Sequence, residues 1–220
     1  MLARELISPI IPTVNRMDTT AKALSLMNEF HVSQLPLVEE GEYQCLLEET
    51  TMLDWDEPET LLENLTFSHI KPAINGNAHF FEALKLAGDY RLSLVPVVDH
   101  GDHYLGAITQ ENLLTTLAHF NGMHESGGIL VLEMDQNDFM LSEIARLAEA
   151  EDVHILGIHT FNDNATGKLG VVLKTNRLDL NSFVATLERF RYTIPHRFDE
   201  PASGDQLQRN YDLLMNYINM

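Results

Sequence analysis

Apolar and polar positions repeat at a constant, gap-free offset along residues 1–120. Residues 23–26 match residues 83–86, and residues 33–41 match residues 93–101. Each copy runs in the same order: a short extended segment, apolar residues at helical spacing, an apolar run with one proline, a turn glycine, a second apolar run and a helix start. A fixed period indicates one supersecondary unit used twice. We expect the two units to bury their apolar faces together and any ligand to bind at the seam.

The pattern predicts the order β-α-β-β-α in each copy. The first copy comprises an extended Thr13–Val14, a helix with Ala23, Leu24, Met27 and Phe30 on its apolar face, strands at 35–38 and 44–47, and a helix from Thr50. The second comprises Ala73–Ile74, a helix with Phe80, Leu84 and Ala87, strands at 95–98 and 104–108, and a helix from Thr109. Asp18 is the predicted N-cap of the first helix.

A polar segment at residues 123–127 precedes a different pattern, which predicts β-α-β-β-α-β. Strands are predicted at 129–134, 153–161, 168–174 and 192–198, between helices with the apolar residues Leu141, Ile144, Leu147 and Ala148 and then Leu180, Phe183, Val184, Leu187 and Phe190. Asn137 or Asp138 is the predicted cap of the first helix and Asp179 that of the second. This order is the ferredoxin-like, split βαβ arrangement.

The last segment, Asp205 to Met220, has one apolar helical face and predicts a docked C-terminal helix. That face consists of Leu207, Tyr211, Leu214, Met215 and Ile218. Contacts within the assembled protein are favoured over recruitment of another partner. The chain therefore divides into a first repeat, a second repeat, a ferredoxin-like domain and a helical tail, at 1–60, 61–122, 123–200 and 201–220, in a mixed α/β (α+β) fold.

Charge and composition narrow the function. The formal net charge is −19, and neutralising phosphates requires clustered Lys and Arg, so nucleic acid is an unsuitable partner. Ten carboxylates between Glu39 and Glu63, without Lys or Arg, form either a solvated face or a docking face for a basic partner or divalent cations. Neither a membrane span nor a signal peptide is predicted, so we expect a cytoplasmic protein. The single cysteine, Cys45, is expected to be buried and inert.

The element order, the proline in the middle strand and the closing segment Gly106–Leu114 resemble a tandem pair of CBS domains. This resemblance covers residues 1 to 120 and implies a pseudo-twofold pair with two clefts that bind ligands such as AMP, ATP or S-adenosylmethionine. It implies a regulatory protein that is not an enzyme and requires no cofactor. The following unit looks like an ACT domain, and the whole chain resembles bacterial CBS-ACT proteins of the acetoin-utilisation type. A homodimer with an unknown regulated protein is the expected assembly.

The resemblance implies a ribose site at the end of the second repeat. The family motif places glycine, a hydroxyl residue and Asp where this chain has Gly106, Thr109 and Asn112. Asn accepts a hydrogen bond but lacks the charge that strengthens it. The alternative is that Thr109 is only an N-cap. The adenine would contact Leu94, Val95, Pro96 and the segment near Ile74.

The same motif, carried back at the constant offset of the repeat, assigns Leu46, Glu49 and Met52 to the first repeat and predicts no nucleotide there. A phosphate would need a basic side chain beside it, and the candidate basic residues are scattered along the sequence. This scatter favours an adenosine-like ligand over ATP. These cations are Arg4, Arg16, Lys71 and Arg91.

Two other groups of residues are candidate sites. ACT domains bind amino acids through a loop that commonly carries glycine, and the corresponding residues 135–139 have none, so Asn137 and Asp138 form a second candidate ligand site with poor backbone access. The pair His100 and His103 lacks the spacing of a zinc site, and no metal is predicted. No catalytic constellation occurs. Three functions follow: an adenosyl-metabolite sensor, a degenerate scaffold for a protein partner, or an amino-acid sensor through the ACT-like domain.

Overall fold

The structure is a computed structural model that describes residues 1–53, 59–64, 71–164 and 166–199. It divides into two compact units, the first ending at Leu117 and the second starting at Ala118. The boundary predicted at residues 123–127 stays a prediction, and the predicted tail helix lies outside the described residues. The helices are α1 Thr20–Glu29, α2 Glu49–Leu53, α3 Phe80–Tyr90, α4 Gln110–Phe120, α5 Leu141–Ala150 and α6 Asn181–Arg189. The strands are β1 Gln34–Glu39, β2 Glu42–Glu48, β3 Ile74–Asn75, β4 Leu94–Val98, β5 Tyr104–Thr109, β6 Ile129–Met134, β7 Ile155–Asn162, β8 Leu169–Thr175 and β9 Thr193–Phe198.

The first unit contains two similar sheets. β1 pairs antiparallel with β2, and β4 pairs antiparallel with β5. In the second repeat β3 adds a short parallel strand beside β4. In the first, the extended segment contributes only a parallel bridge between Val14 and Leu37. One apolar core joins both repeats, since Ala23, Met27, Leu35, Ala83 and Leu94 are all buried in it.

Equivalent elements of the two repeats contact each other. The rings of Tyr43 and Tyr104 stack with their centroids 6.4 Å apart. The Tyr43 backbone N–H donates to the Asp102 carbonyl at 3.1 Å, and that of Tyr104 donates to the Gly41 carbonyl at 2.9 Å. Burial raises the pKa of both phenols above their ordinary range. These reciprocal contacts are those of a pseudo-twofold pair.

The first helix starts one residue later than predicted. The N-cap of α1 is Thr19, whose hydroxyl accepts from the Lys22 N–H at 3.2 Å. Asp18, the predicted cap, accepts instead from the Asn15 N–H at 2.9 Å and forms an ion pair with the Lys22 ammonium. The carboxylate thus closes the preceding turn, and the hydroxyl next to it satisfies the helix N–H.

The predicted caps in the second unit are also wrong. Asn137 and Asp138 belong to a short 3-10 helix, Gln136–Asp138, and α5 begins after Met140 without a side-chain cap. Leu180 is the cap residue of α6, while Asp179 accepts from the Asn181 N–H at 3.1 Å.

The second unit is a four-stranded sheet with strand order β7-β8-β6-β9 and antiparallel neighbours throughout. This is the ferredoxin-like order, and it confirms the split βαβ prediction. The core on one face of the sheet contains the strand residues Leu130, Leu132 and Leu173 and the helix residues Ile144 and Phe183. Both helices therefore pack on the same face of the sheet.

Candidate ligand site

The strand register changes the alignment of the two repeats. Pro36 pairs with Leu46 in the first repeat, and Pro96 pairs with Ala107 in the second. Pro36 and Pro96 are separated in sequence by the constant offset of the repeat. Leu46 and Ala107 are separated by one residue more, because the turn between the two strands is one residue longer in the second repeat. The constant offset therefore holds only up to the turn.

The counterparts of Gly106, Thr109 and Asn112 are consequently the first-repeat residues Cys45, Glu48 and Thr51. The assignment of Leu46, Glu49 and Met52 to these positions is wrong. Met52 is the counterpart of Leu113, and both are core residues, 1% and 2% exposed. The first repeat still departs from the family motif at every position. Met52 therefore packs in the core and does not mark a ligand position.

A cavity of about 650 Å³ lies in the first unit and contains Thr109 and Asn112 in its wall. The segment before α1, the end of α1 and the start of α4 form the rest of the wall. The lining residues are Ser8, Ile10, Ile11, Glu29, Phe30, His31, Val32, Ser93, Thr109, Gln110, Glu111 and Asn112. The cavity, which we call the Thr109 cleft, thus has walls from both repeats.

Thr109 and Asn112 are held together by hydrogen bonds. The Thr109 hydroxyl oxygen accepts from the Asn112 backbone N–H at 3.1 Å. The Asn112 side-chain Nδ2 donates to the Leu6 carbonyl at 3.2 Å. Thr109 therefore caps α4, and its hydroxyl proton can still be donated. The bond to Leu6 fixes the amide of Asn112 and leaves its oxygen as an acceptor, so cap and ligand contact are compatible roles.

The structure does not bring the other predicted contact residues to the cleft. Leu94 and Val95 are 0% exposed, Ile74 is 8% exposed, and Pro96 is also buried. The apolar wall of the cleft consists instead of Ile10, Ile11, Phe30 and Val32. The helical pattern predicts Phe30 on the core-facing side of α1. The remaining wall residues carry no sequence signal, because they come from segments far apart along the chain.

A polar seam between the repeats adjoins the cleft. Ser93, which lines the cleft, donates through its hydroxyl and its backbone N–H to Gln34 Oε1, at 2.6 and 2.7 Å. The Ser93 hydroxyl also accepts from the Ser33 N–H at 3.1 Å. Gln34 is only 7% exposed, so its amide oxygen is a buried acceptor satisfied by the opposite repeat.

The ionisable residues of the cleft wall are mostly acidic. Glu29 and Glu111 are the carboxylates of the wall, and His31 is the histidine among the lining residues. The four cations considered for a phosphate are absent from the lining. Carboxylates at a few ångströms repel a phosphate, and no lysine or arginine among the lining residues offsets that repulsion.

The remaining candidate groups are separate from the cleft. Asn137 and Asp138 are both exposed on the 3-10 turn of the second unit. Cys45 is 5% exposed, and burial raises the pKa of its thiol to about 11, so the reactive thiolate is disfavoured. Within the described residues, no three His, Cys, Asp or Glu side chains converge as metal ligands. No described helix is both long and apolar enough to span a membrane.

The fold defines the first unit as a pseudo-symmetric pair of repeats that share one cleft. The CBS domain family matches residues 3–56 and 68–119. This chain therefore carries a tandem pair of CBS domains, a module that is typically regulatory, followed by a unit of ferredoxin-like architecture.

Solved structures of related fold include a CBS domain pair/ACT domain protein from Thermotoga maritima, 18% identical, with a TM-score of 0.49 over 54% of this chain and 98% of that one. A putative acetoin utilization protein, AcuB, from Vibrio cholerae is 19% identical, with a TM-score of 0.49 over 57% of this chain and 97% of that one. CBSX2, solved in complex with AMP, is 16% identical, with a TM-score of 0.47 over 54% and 96%.

Proposed function

We propose that the CBS pair senses an adenosyl-type metabolite in the Thr109 cleft and regulates another protein in the cytoplasm. The observation that carries this proposal is that Thr109 and Asn112, one turn apart at the start of α4, both line a cleft whose wall is shared by the two repeats. Their hydroxyl and amide groups suit the two neighbouring hydroxyls of a ribose as donor and acceptor. The Thr109 hydroxyl would donate to one ribose oxygen, and the other ribose hydroxyl would donate to Asn112 Oδ1.

The ligand class follows from the charges. Glu29 and Glu111 disfavour a phosphate and favour a neutral or cationic group in the cleft. An adenosine with a sulfonium or ammonium substituent would satisfy both the ribose contacts and the carboxylates. Apolar surface from Ile10, Phe30 and Val32 is available for the base. AMP and ATP should bind more weakly than such a ligand.

Regulation would use differential affinity for two arrangements of the repeats. A ligand that touches Phe30 in one repeat and Thr109 in the other stabilises one arrangement and shifts the population toward it. The Ser93–Gln34 seam beside the cleft is the contact that would change. The ACT-like unit would form a homodimer, since β7 has no partner strand on its outer side within the described sheet.

Thermal unfolding of the full chain tests the proposal, with adenosine, S-adenosylmethionine, AMP and ATP each at millimolar concentration. A ligand at 100 times its Kd stabilises by about 2.7 kcal/mol, which raises the midpoint by several degrees. We expect a shift with S-adenosylmethionine or adenosine that is lost in Thr109→Ala and kept in Thr109→Ser. Thr115→Ala, on the exposed side of α4, is the matched control. Sedimentation at micromolar concentration checks the dimer.

Two outcomes would replace this function. The departures from the family motif at Asn112 and throughout the first repeat favour a scaffold with no small ligand, and an absence of any shift would support it and direct attention to a protein partner. A shift with amino acids that is altered by changes at Asn137 or Asp138, but not at Asn112, would support an amino-acid sensor in the ACT-like unit.

A further inference from the structure

A tyrosine hydroxyl is buried where the two repeats meet and has no hydrogen-bond partner among the described residues. It belongs to Tyr104 of β5. A buried hydroxyl normally forms a hydrogen bond, because burial without one sacrifices its interaction with water. The counterpart of Tyr104 in the first repeat is Tyr43, since the two residues pair with Val98 and Val38 in their own sheets. The surroundings of the two hydroxyls can therefore be compared directly.

The hydroxyl of Tyr43 has the partner that the hydroxyl of Tyr104 lacks. It donates to the Pro72 carbonyl at 3.1 Å. Pro72 belongs to the segment that leads into the second repeat, two residues before Ile74 and the strand β3. A side chain of the first repeat thus holds the entry of the second repeat.

The pseudo-twofold relation identifies the corresponding acceptor for Tyr104 as the Pro12 carbonyl. Val14 and Ile74 make equivalent parallel pairings, each beside the proline-containing strand of its own repeat. Two residues before them lie Pro12 and Pro72. Within the described part of the chain, the Pro12 carbonyl accepts no hydrogen bond. The donor and the acceptor that are bonded in one half of the pair are thus both unused in the other half.

Pro12 is directly connected to the wall of the Thr109 cleft. It follows Ile10 and Ile11, which line the cleft, and Ile10 is 64% exposed. The segment is fastened at Ser8 to the sheet of the second repeat and at Val14 to that of the first. A ligand that packs on the two isoleucines would draw the chain between these anchors inward, and Pro12 with it.

We propose that the Tyr104 hydroxyl donates to the Pro12 carbonyl when a ligand fills the Thr109 cleft. This inference rests on the proposed function and names a contact through which binding changes the arrangement of the repeats. The bond that is already formed, at Tyr43, lies on β2, which ends at Glu48, where the family motif is not kept. The unformed bond lies on β5, which ends at Thr109. One half of the pair is thus closed without a ligand, and the ligand closes the other half.

Tyr104 would act as a positioning residue, since it is not among the residues that line the cleft. Two hydroxyl deletions in the full, ligand-free chain test the starting state. Tyr104→Phe removes an unpaired hydroxyl, so the thermal midpoint should stay the same or rise. Tyr43→Phe is the matched control. It removes a formed bond and leaves the Pro72 carbonyl unpaired, so the midpoint should fall by about 2–4 °C.

Titration calorimetry of the same variants with adenosine and with S-adenosylmethionine tests the ligand-bound state. Tyr104→Phe should bind about five-fold more weakly than the wild-type chain, because closure no longer forms a hydrogen bond. Tyr43→Phe should bind with wild-type affinity, because its bond is present in both arrangements. A loss of affinity without a loss of stability is a combination that a merely structural role of Tyr104 would not produce.

Two results would overturn the inference and leave the proposed function in place. Equal affinities of Tyr104→Phe and the wild-type chain would show that the hydroxyl takes no part in binding. A midpoint of ligand-free Tyr104→Phe that falls as far as that of Tyr43→Phe would show that the hydroxyl is already bonded before a ligand arrives. Failure of the wild-type chain to bind either compound would instead remove the proposed function, and this inference with it.

Discussion

The two CBS repeats have the same core and different closing strands. Met52 and Leu113 are equivalent and equally buried, so the packing position is preserved in both copies. The cleft positions differ, since Glu48 in the first repeat corresponds to Thr109 in the second. The comparison shows that the two copies share a core position and differ at a position that lines the Thr109 cleft in the second repeat.

The glycine of the closing motif shows a second difference. Gly106 has φ +146° and packs directly against the side chain of Ile7. Its counterpart in the first repeat is not a glycine but Cys45. The Ser8 N–H donates to the Ala107 carbonyl at 2.8 Å, next to this contact. The start of the chain is thus held on the sheet of the second repeat, and this places Ser8 and its neighbours in the cleft wall. The residues at the corresponding point before the second repeat, 65–70, lie outside the described structure.

The largest expected effect tests the corrected equivalence. Met52→Ala and Leu113→Ala should each lower the free energy of unfolding by about 2–5 kcal/mol, because each removes a buried side chain from the shared core. Urea denaturation measures both, with Leu114→Ala, 66% exposed, as the control expected to change little. If Met52→Ala were neutral and opened a new adenosine site, the equivalence with Leu113 would be wrong.

A smaller loss is expected at the glycine. Gly106→Ala should cost about 2–3 kcal/mol, since it combines an unfavourable φ with overlap at the Ile7 methyl. Gly41→Ala is the matched control, because Gly41 also has a positive φ, +88°, but its Cβ would meet no atom within 4 Å. That variant should lose only about 1 kcal/mol. Equal losses in the two variants would argue against the tight contact with Ile7.

Sequence periodicity is sufficient to predict the fold but not the residue-by-residue alignment of the two repeats. The repeated apolar pattern predicts both CBS units, and the change of pattern after residue 123 predicts the ferredoxin-like order, because burial of one face dictates both periods. The extra residue in the turn before His103 leaves no signal in the sequence, since turn residues are polar in any register. This extra residue shifts the alignment of the two repeats by one position at every residue after the turn.

The site can be predicted only where one short segment carries it. Thr109 and Asn112 belong to one helix start and are apparent from the motif. Ser93 and Phe30 reach the same cleft from other parts of the chain, and no local pattern reports such a meeting. The predictions of the helix caps are wrong for a related reason. Several polar residues precede α1, and backbone geometry decides that Thr19 rather than Asp18 is the cap.

The smallest expected effect concerns the residue that departs from the family motif. Asn112→Asp adds the charge that strengthens a bond from a ribose hydroxyl, by about 1 kcal/mol, and should raise affinity for adenosine about five-fold. It should also lower stability by about 1 kcal/mol, because the bond from Nδ2 to the Leu6 carbonyl is lost. Titration calorimetry and urea denaturation measure the two effects separately.

The control for this last change is Gln110→Glu, which adds the same charge to the same cleft wall close to Asn112. It should weaken AMP binding as much as Asn112→Asp does, without improving adenosine binding, because residue 112 and not residue 110 stands at the Asp position of the family motif. If adenosine bound to Asn112→Asp and not at all to the wild-type chain, the natural asparagine would have abolished the site. The second repeat would then resemble the first in function as well as in fold, and the scaffold would be the better account of the protein.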